Sequence, residues 1–242
     1  MFDAAFFNIT AAEAIAIDPK QRIAMEIAYE ALENAGKPLQ KVAGTQTACY
    51  IGSSMSDYRD AVVRDFAHNP KYHILGTSEE MISNRISHFL DIHGPSATIH
   101  TACSSSLVAT HLACQSLQSG ESEMAIAGGV GMILTPDGTM QLNNLGFLNP
   151  EGHCRSFDES AGGYGRGEGC GILILKRLDK AVQDGDTIRA VIRASGVNSD
   201  GWTQGVTTPS SDAQAALIKH VYESHGLDYG LTQYVEAHVS GS

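Results

Sequence analysis

The chain has 242 residues, of which 43% are hydrophobic and 18% charged. This is the make-up of a globular protein with material for one large domain or two small ones. A formal charge of −11 is the opposite of the basic footprint that nucleic acid requires, and it disfavours docking on anionic membranes. The longest nearly apolar run, Met124 to Leu134, has 11 residues with three glycines, too short to span a bilayer.

The spacing predicts a helix from about Asp18 to Ala35. Asp18 caps it, Pro19 suits the first helical position, and Gln21 completes a box-like start. Ile23, Ala24, Ile27, Ala28, Ala31 and Leu32 form its apolar face, and Gly36 ends it. A short strand is expected around Thr47–Ile51, then a polar, irregular stretch to about Gly76, then a helix over Glu80–Phe89. The strand Ser96–His100 runs into small residues and Cys103. A helical pattern (Leu107, Val108, Leu112, Leu117) starts at once and stops at Gly120. Met124–Gly128 is a continuous apolar run, as expected of a strand buried on both faces. Residues 136–170, rich in Gly, Asn, Asp and Pro, predict a long ordered loop of the kind that carries function. Strands are expected at Gly171–Leu175 and Ala190–Ser195. A capping box, Ser211-x-x-Gln214, opens a helix with Ala213, Ala216, Leu217 and Val221 on one face and Gly226 at its end. Tyr234–Ala237 reads as a final strand leading to His238. Helices alternating with buried strands mean a layered α/β architecture.

Five cysteines at irregular spacings (49, 103, 114, 154, 170) argue against a disulfide framework and for a reducing, cytoplasmic setting. Cys103 falls at a strand-to-helix junction, near the unpaired N–H groups and positive dipole end of the helix. A free thiol with a pKa of ~8.5 is only a few per cent thiolate at neutral pH, and such a junction raises that fraction. Cys103 is therefore a candidate nucleophile; the alternative is a buried small hydrophobe. His100-x-x-Cys103 and His111-x-x-Cys114 have the look of metal-ligand pairs, yet about eight helical residues, ~12 Å, separate them, too far to share one ion. The six glycines between Gly162 and Gly171 fit neither phosphate-binding pattern; they suit close passage of backbone. Arg166 and Glu168 within that run are expected to pair with each other in a structural role. No nucleophile-elbow pattern surrounds Ser104, Ser105 and Ser106, which are expected to cap the helix. His238, followed by small hydroxyl residues, either polarises a carbonyl or serves structure.

Several motifs carry a family resemblance. Thr101-Ala102-Cys103-Ser104-Ser105-Ser106-Leu107 resembles the nucleophile motif of β-ketoacyl synthase domains of modular and iterative polyketide synthases. Val235-Glu236-Ala237-His238-Val239-Ser240-Gly241-Ser242 is similar to that family's V-E-A-H-G-T-G-T motif. Asp18-Pro19-Lys20-Gln21-Arg22, Asn84-Arg85-Ile86-Ser87, Gly94-Pro95-Ser96, and Phe157-Asp158 leading to Gly165-Arg166-Gly167-Glu168-Gly169 extend the likeness over the whole chain. The run from Asn198 to Pro209, with the helix after it, looks most like fungal reducing iterative synthases.

The resemblance implies a thiolase-like, duplicated αβαβα fold working as a homodimer. Residues 1–242 would form a partial domain, with about 1–230 from the N-terminal half and 231–242 opening the C-terminal half. It implies that Cys103 accepts an acyl chain from a phosphopantetheine thioester, with its backbone N–H contributing to an oxyanion hole. Malonyl-acyl carrier protein then loses CO₂, and the carbanion attacks the acyl-cysteine in a decarboxylative Claisen condensation. His238 would stabilise the enolate oxygen, and Ser240 and Ser242 would contact the pantetheine arm. The domain would bind no cofactor or metal of its own; its partners would be acyl carrier protein and acyltransferase domains of the same megasynthase, with no nucleic acid or membrane.

Departures are His100 for the family's aspartate, Val239 for glycine, and Ser240 and Ser242 for threonines. The family's second catalytic histidine and its supporting lysine fall outside the sequence; a partial domain would also expose sheet edges and core faces, so the chain alone is expected to be unstable and inactive. A non-elongating homologue that only binds or passes acyl chains is the alternative function; a cysteine hydrolase is a third reading.

Overall fold

The computed structural model describes residues 2–64 and 71–238. In chain order its elements are α1 (Ala11–Ala16), α2 (Pro19–Asn34), α3 (Leu39–Val42), β1 (Thr47–Ser53), α4 (Asp57–Val63), α5 (His73–Thr77), α6 (Met81–Leu90) and β2 (Ser96–Ile99). A 3-10 turn (Ala102–Ser104) then leads into α7 (Ser105–Ser119), β3 (Met124–Gly131), α8 (Asp137–Asn144), β4 (Gly169–Lys176), α9 (Leu178–Gln183) and α10 (Ser211–Ser224). The chain divides into two compact units, one ending at Thr187 and one spanning Ile188–His238.

In the first unit the strands form one sheet in the order β2-β1-β3-β4. β2, β1 and β3 are parallel, and β4 runs antiparallel to β3. Helices α2 and α6 pack on one face and α7 on the other, giving an α/β/α layering. The α2 side holds the larger side chains: Leu32, Ile51, Ile82, Ile86, Met124, Ile126 and Val130 are buried together with Cys49. The α7 side is built from Ala48, Ala113, Ala125 and Ala127, with Leu117 and the partly buried Tyr50 and Leu175. Residues alternate between these two faces along each strand, as the pleat requires.

Local chemistry explains the helix boundaries. Asp18 accepts from the Lys20 N–H at the start of α2, with Pro19 in the first turn. Gln21 does not complete a capping box. Its Nε2 donates to the carbonyls of Leu75, Gly76 and Ser78, and its Oε1 accepts from Arg85 Nε at 2.7 Å. A buried amide that finds carbonyls on another segment satisfies itself there rather than at its own N-terminus. The stretch expected to be irregular before Gly76 holds α4 and α5, and the loop region 136–170 holds α8, whose sequence DGTMQLNN offers little apolar periodicity.

In the second unit, α10 starts one residue earlier than the capping box predicts. Ser210, not Ser211, accepts from the Ala213 N–H at 3.1 Å. Leu217 and Val221 lie across Gly196, where an added Cβ would come within 2.5 Å of Val221. Neither Ala190–Ser195 nor Tyr234–Ala237 forms a strand. A strand exists through its ladder, and among the described residues these segments have no ladder partner.

Candidate active site around Cys103

β2 ends at Ile99, in register with Gly52 of β1. The chain then turns through His100 and Thr101 into Ala102, whose φ of 52° is left-handed, a conformation that costs energy for a residue with a Cβ. Such strain gathers where a surrounding structure holds a functional group in place. Cys103 follows at once, exposed in the 3-10 turn that leads into α7.

The serines fold this turn rather than cap the helix. Ser104 is the N-cap residue but makes no side-chain capping bond. Its Oγ donates to the Thr101 carbonyl at 2.8 Å. The buried Ser105 accepts from the Thr101 N–H at 2.9 Å and donates to the Ala102 carbonyl at 2.6 Å, bridging the two residues before the cysteine. The serines are drawn to Thr101 and Ala102 because the left-handed residue tucks those backbone groups under them.

Beneath the turn, β1 and β3 present glycines in register, Gly52 opposite Gly129. A Cβ on Gly52 would lie 2.4 Å from the backbone of Ser105 and Ser106, and one on Gly129 would lie 2.7 Å from the Ser106 Cβ. No other residue type permits so close an approach.

The end of β1 is fixed from the α2 side. Lys20 is 2% exposed, and its Nζ donates to Ser53 Oγ (3.1 Å), the Met55 carbonyl (2.7 Å) and Glu79 Oε1 (2.6 Å). Arg85 joins Gln21 to Glu13. Thus Lys20 and Gln21 of the first motif and Arg85 of the second make buried polar contacts, Gln21 and Arg85 directly with each other, which their sequence positions, some sixty residues apart, do not reveal. After β3, Asp57 Oδ2 accepts from the Leu134 and Thr135 N–H groups at 3.0 and 3.2 Å.

Arg166 and Glu168 do not pair. Arg166 reaches Thr139 Oγ1 and the Met55 sulfur, while Glu168 accepts from the Ile133 N–H. Each anchors a different loop. The other thiols differ in setting from Cys103. Burial pushes Cys49 up to about 12 and Cys170 up to about 11, and Cys154 accepts from the Gly165 N–H. Among the described residues no cluster of three or more His, Cys, Asp or Glu gathers that could hold a metal ion, and no helix is long and apolar enough to cross a membrane.

His238 lies exposed, outside any helix or strand, at the end of the second unit, whereas Cys103 belongs to the first. Val239, Ser240 and Ser242 lie outside the described residues.

The model of the β-ketoacyl synthase N-terminal domain matches residues 1–181 and that of the C-terminal domain residues 189–242; the chain belongs to the β-ketoacyl synthase family. The chain is 88% identical over its full length to a reducing polyketide synthase (hmp8) of Hypomyces subiculosus, and 85% identical to the highly reducing polyketide synthase ZEA2 of Gibberella zeae. It spans 10% of the length of each. Among solved structures, the ketosynthase from module 6 of the bacillaene synthase of Bacillus subtilis matches all of the chain with a TM-score of 0.93 at 40% identity, the chain covering 41% of its length. The oxazolomycin ketosynthase domain OzmH KS7 of Streptomyces albus matches equally well at 37% identity. The thiolase-like fold and the likeness to fungal reducing synthases are thus as the motifs imply.

Proposed function

We propose that residues 1–242 are part of the condensing domain of a longer, cytoplasmic, iterative reducing polyketide synthase. In this reading Cys103 takes the growing acyl chain from a phosphopantetheine thioester: its sulfur attacks the thioester carbonyl, and the pantetheine thiol leaves. The Cys103 N–H helps hold the oxyanion of that step. Malonyl on the acyl carrier protein then loses CO₂. His238 donates to the enolate oxygen, and the carbanion attacks the acyl-cysteine carbonyl; the C–S bond breaks, Cys103 leaves as thiolate, and a β-ketoacyl thioester remains on the carrier protein. Ser240 and Ser242 hold the pantetheine arm through their hydroxyls. The domain acts as a homodimer, draws on carrier and acyltransferase domains of the same polypeptide, and needs no cofactor of its own.

The observation that carries this reading is Cys103 itself, exposed on a strained, serine-stapled turn at the start of α7 in a chain of this family. The test uses the full-length synthase with acyl and malonyl carrier thioesters. Wild type is expected to show acylated Cys103 and condensed product. Cys103→Ala is expected to abolish both, and His238→Ala to keep the acyl-enzyme while losing product. No acyl on Cys103 in the wild type would refute the reading.

Val239 favours a second reading, a homologue that carries acyl chains without extending them. A β-branched residue is unfavourable where the family has glycine if that backbone turns left-handed. Acylated Cys103 with no condensation product, and product on Val239→Gly, is the result that supports it.

A further inference from the structure

We infer that Gly129 and Ser106 form a seat that positions Cys103 for acyl transfer, with Gly129 acting as a positioning residue. The inference rests on the reading of Cys103 as acyl acceptor and adds how its reach is set. Ser106 is three residues beyond Cys103, in the first turn of α7. A Cβ on Gly129 would lie 2.7 Å from its Cβ and 3.2 Å from the Gly52 carbonyl oxygen. Gly129 is therefore the point at which β3 sets the height of the cysteine turn above the sheet. The turn has little slack of its own, since Ser105 ties Thr101 to Ala102 on either side of the left-handed bend. A push at Ser106 is passed to Cys103 and its N–H as a rigid displacement.

The two chemistries of a cysteine respond differently to such a displacement. Alkylation by iodoacetamide is a direct displacement at carbon and needs only an accessible sulfur. Acyl transfer from a thioester needs the sulfur and the oxyanion-holding N–H groups in register. A misplacement of about 1 Å costs on the order of 100-fold in such a step.

The experiment measures both rates at Cys103 in the full-length synthase, by mass spectrometry of its peptide, with a hexanoyl N-acetylcysteamine thioester and with iodoacetamide as probes. Gly129→Ala is expected to slow acyl transfer about tenfold or more and to leave alkylation within about twofold. Adding Ser106→Gly removes the atom that an alanine would strike, and is expected to restore most of the acyl transfer. Wild-type acyl transfer in Gly129→Ala, or parallel loss of both reactions, would overturn the inference. Should Gly129→Ala not fold, the double variant decides: folded with acyl transfer restored it supports the seat, and folded without transfer it overturns it. If the wild type takes no acyl group although iodoacetamide labels Cys103, the reading of Cys103 fails and the seat fails with it.

Discussion

The two faces of the sheet are made of different material, and they do different work. Toward α2 and α6 the strands present Cys49, Ile51, Met124, Ile126 and Val130, with Cys170, Ile172 and Ile174 at the margin. Toward α7 they present Ala48, Gly52, Ala125, Ala127 and Gly129, with Tyr50 and Leu175 at the margin. Large side chains fill volume and take apolar area out of water, roughly 25 cal/mol per Å². Small ones contribute little area but let a helix come down close to the strands. One face therefore supplies stability, and the other fixes where the start of α7, with Cys103, comes to rest. The buried Lys20 belongs to the first face and fixes the strand end on which the second depends.

Four measurements can break or sharpen this division. The largest effect is expected from Lys20→Met, which strands Glu79 beside the end of β1; loss of one partner of a buried pair costs about 3–5 kcal/mol. Chemical denaturation should register it, and Lys20→Met with Glu79→Met should recover most of the loss. Ile126→Ala opens a cavity on the α2 face and is expected to cost about 2–5 kcal/mol, while the folded variant acylates Cys103 at the wild-type rate. A parallel drop in acylation would mean that the two faces are not separable. Its neighbour Ala127→Val overpacks the α7 face, at about 1–3 kcal/mol, and should slow acylation more than its smaller stability cost suggests. The smallest effect concerns acid. Asp186 is held below the ordinary carboxylate value of 3.8 by hydrogen bonds from Lys37 and Lys176. A carboxylate with a folded pKa lower than its unfolded one stabilises the fold above the unfolded value, and that contribution is lost as pH falls through the folded value. Asp186→Asn should remove up to about 1 kcal/mol at neutral pH and nothing at acid extremes, as read from paired unfolding curves.

Much of this arrangement is written locally. Asp18 and Pro19 announce α2, the apolar run at 124 announces β3, and small residues followed by a helical pattern announce the Cys103 turn, because caps and periodicity act over a few residues. The α7 face is harder to read, since alanine and glycine in a strand look like weak sequence rather than a fitted surface. Ser105 reads as a capping serine until the left-handed Ala102 brings Thr101 and the Ala102 carbonyl within its reach. Lys20, Gln21 and Arg85 find partners at Ser53, Met55, Glu79 and Glu13, a matter of tertiary neighbours that spacing does not encode. The segments at 190–195 and 234–237 carry strand-like composition, but a strand also needs something to pair with.

The burial of Cys49 and Cys170 has a practical side. With thiols pushed up to about 12 and about 11, fewer than about one molecule in 1,000 carries either as thiolate at neutral pH. An electrophilic probe thus passes both by, while Cys103 and Cys154 stand exposed. Replacing Cys154 by serine would leave Cys103 as the one fully exposed thiol among the described residues.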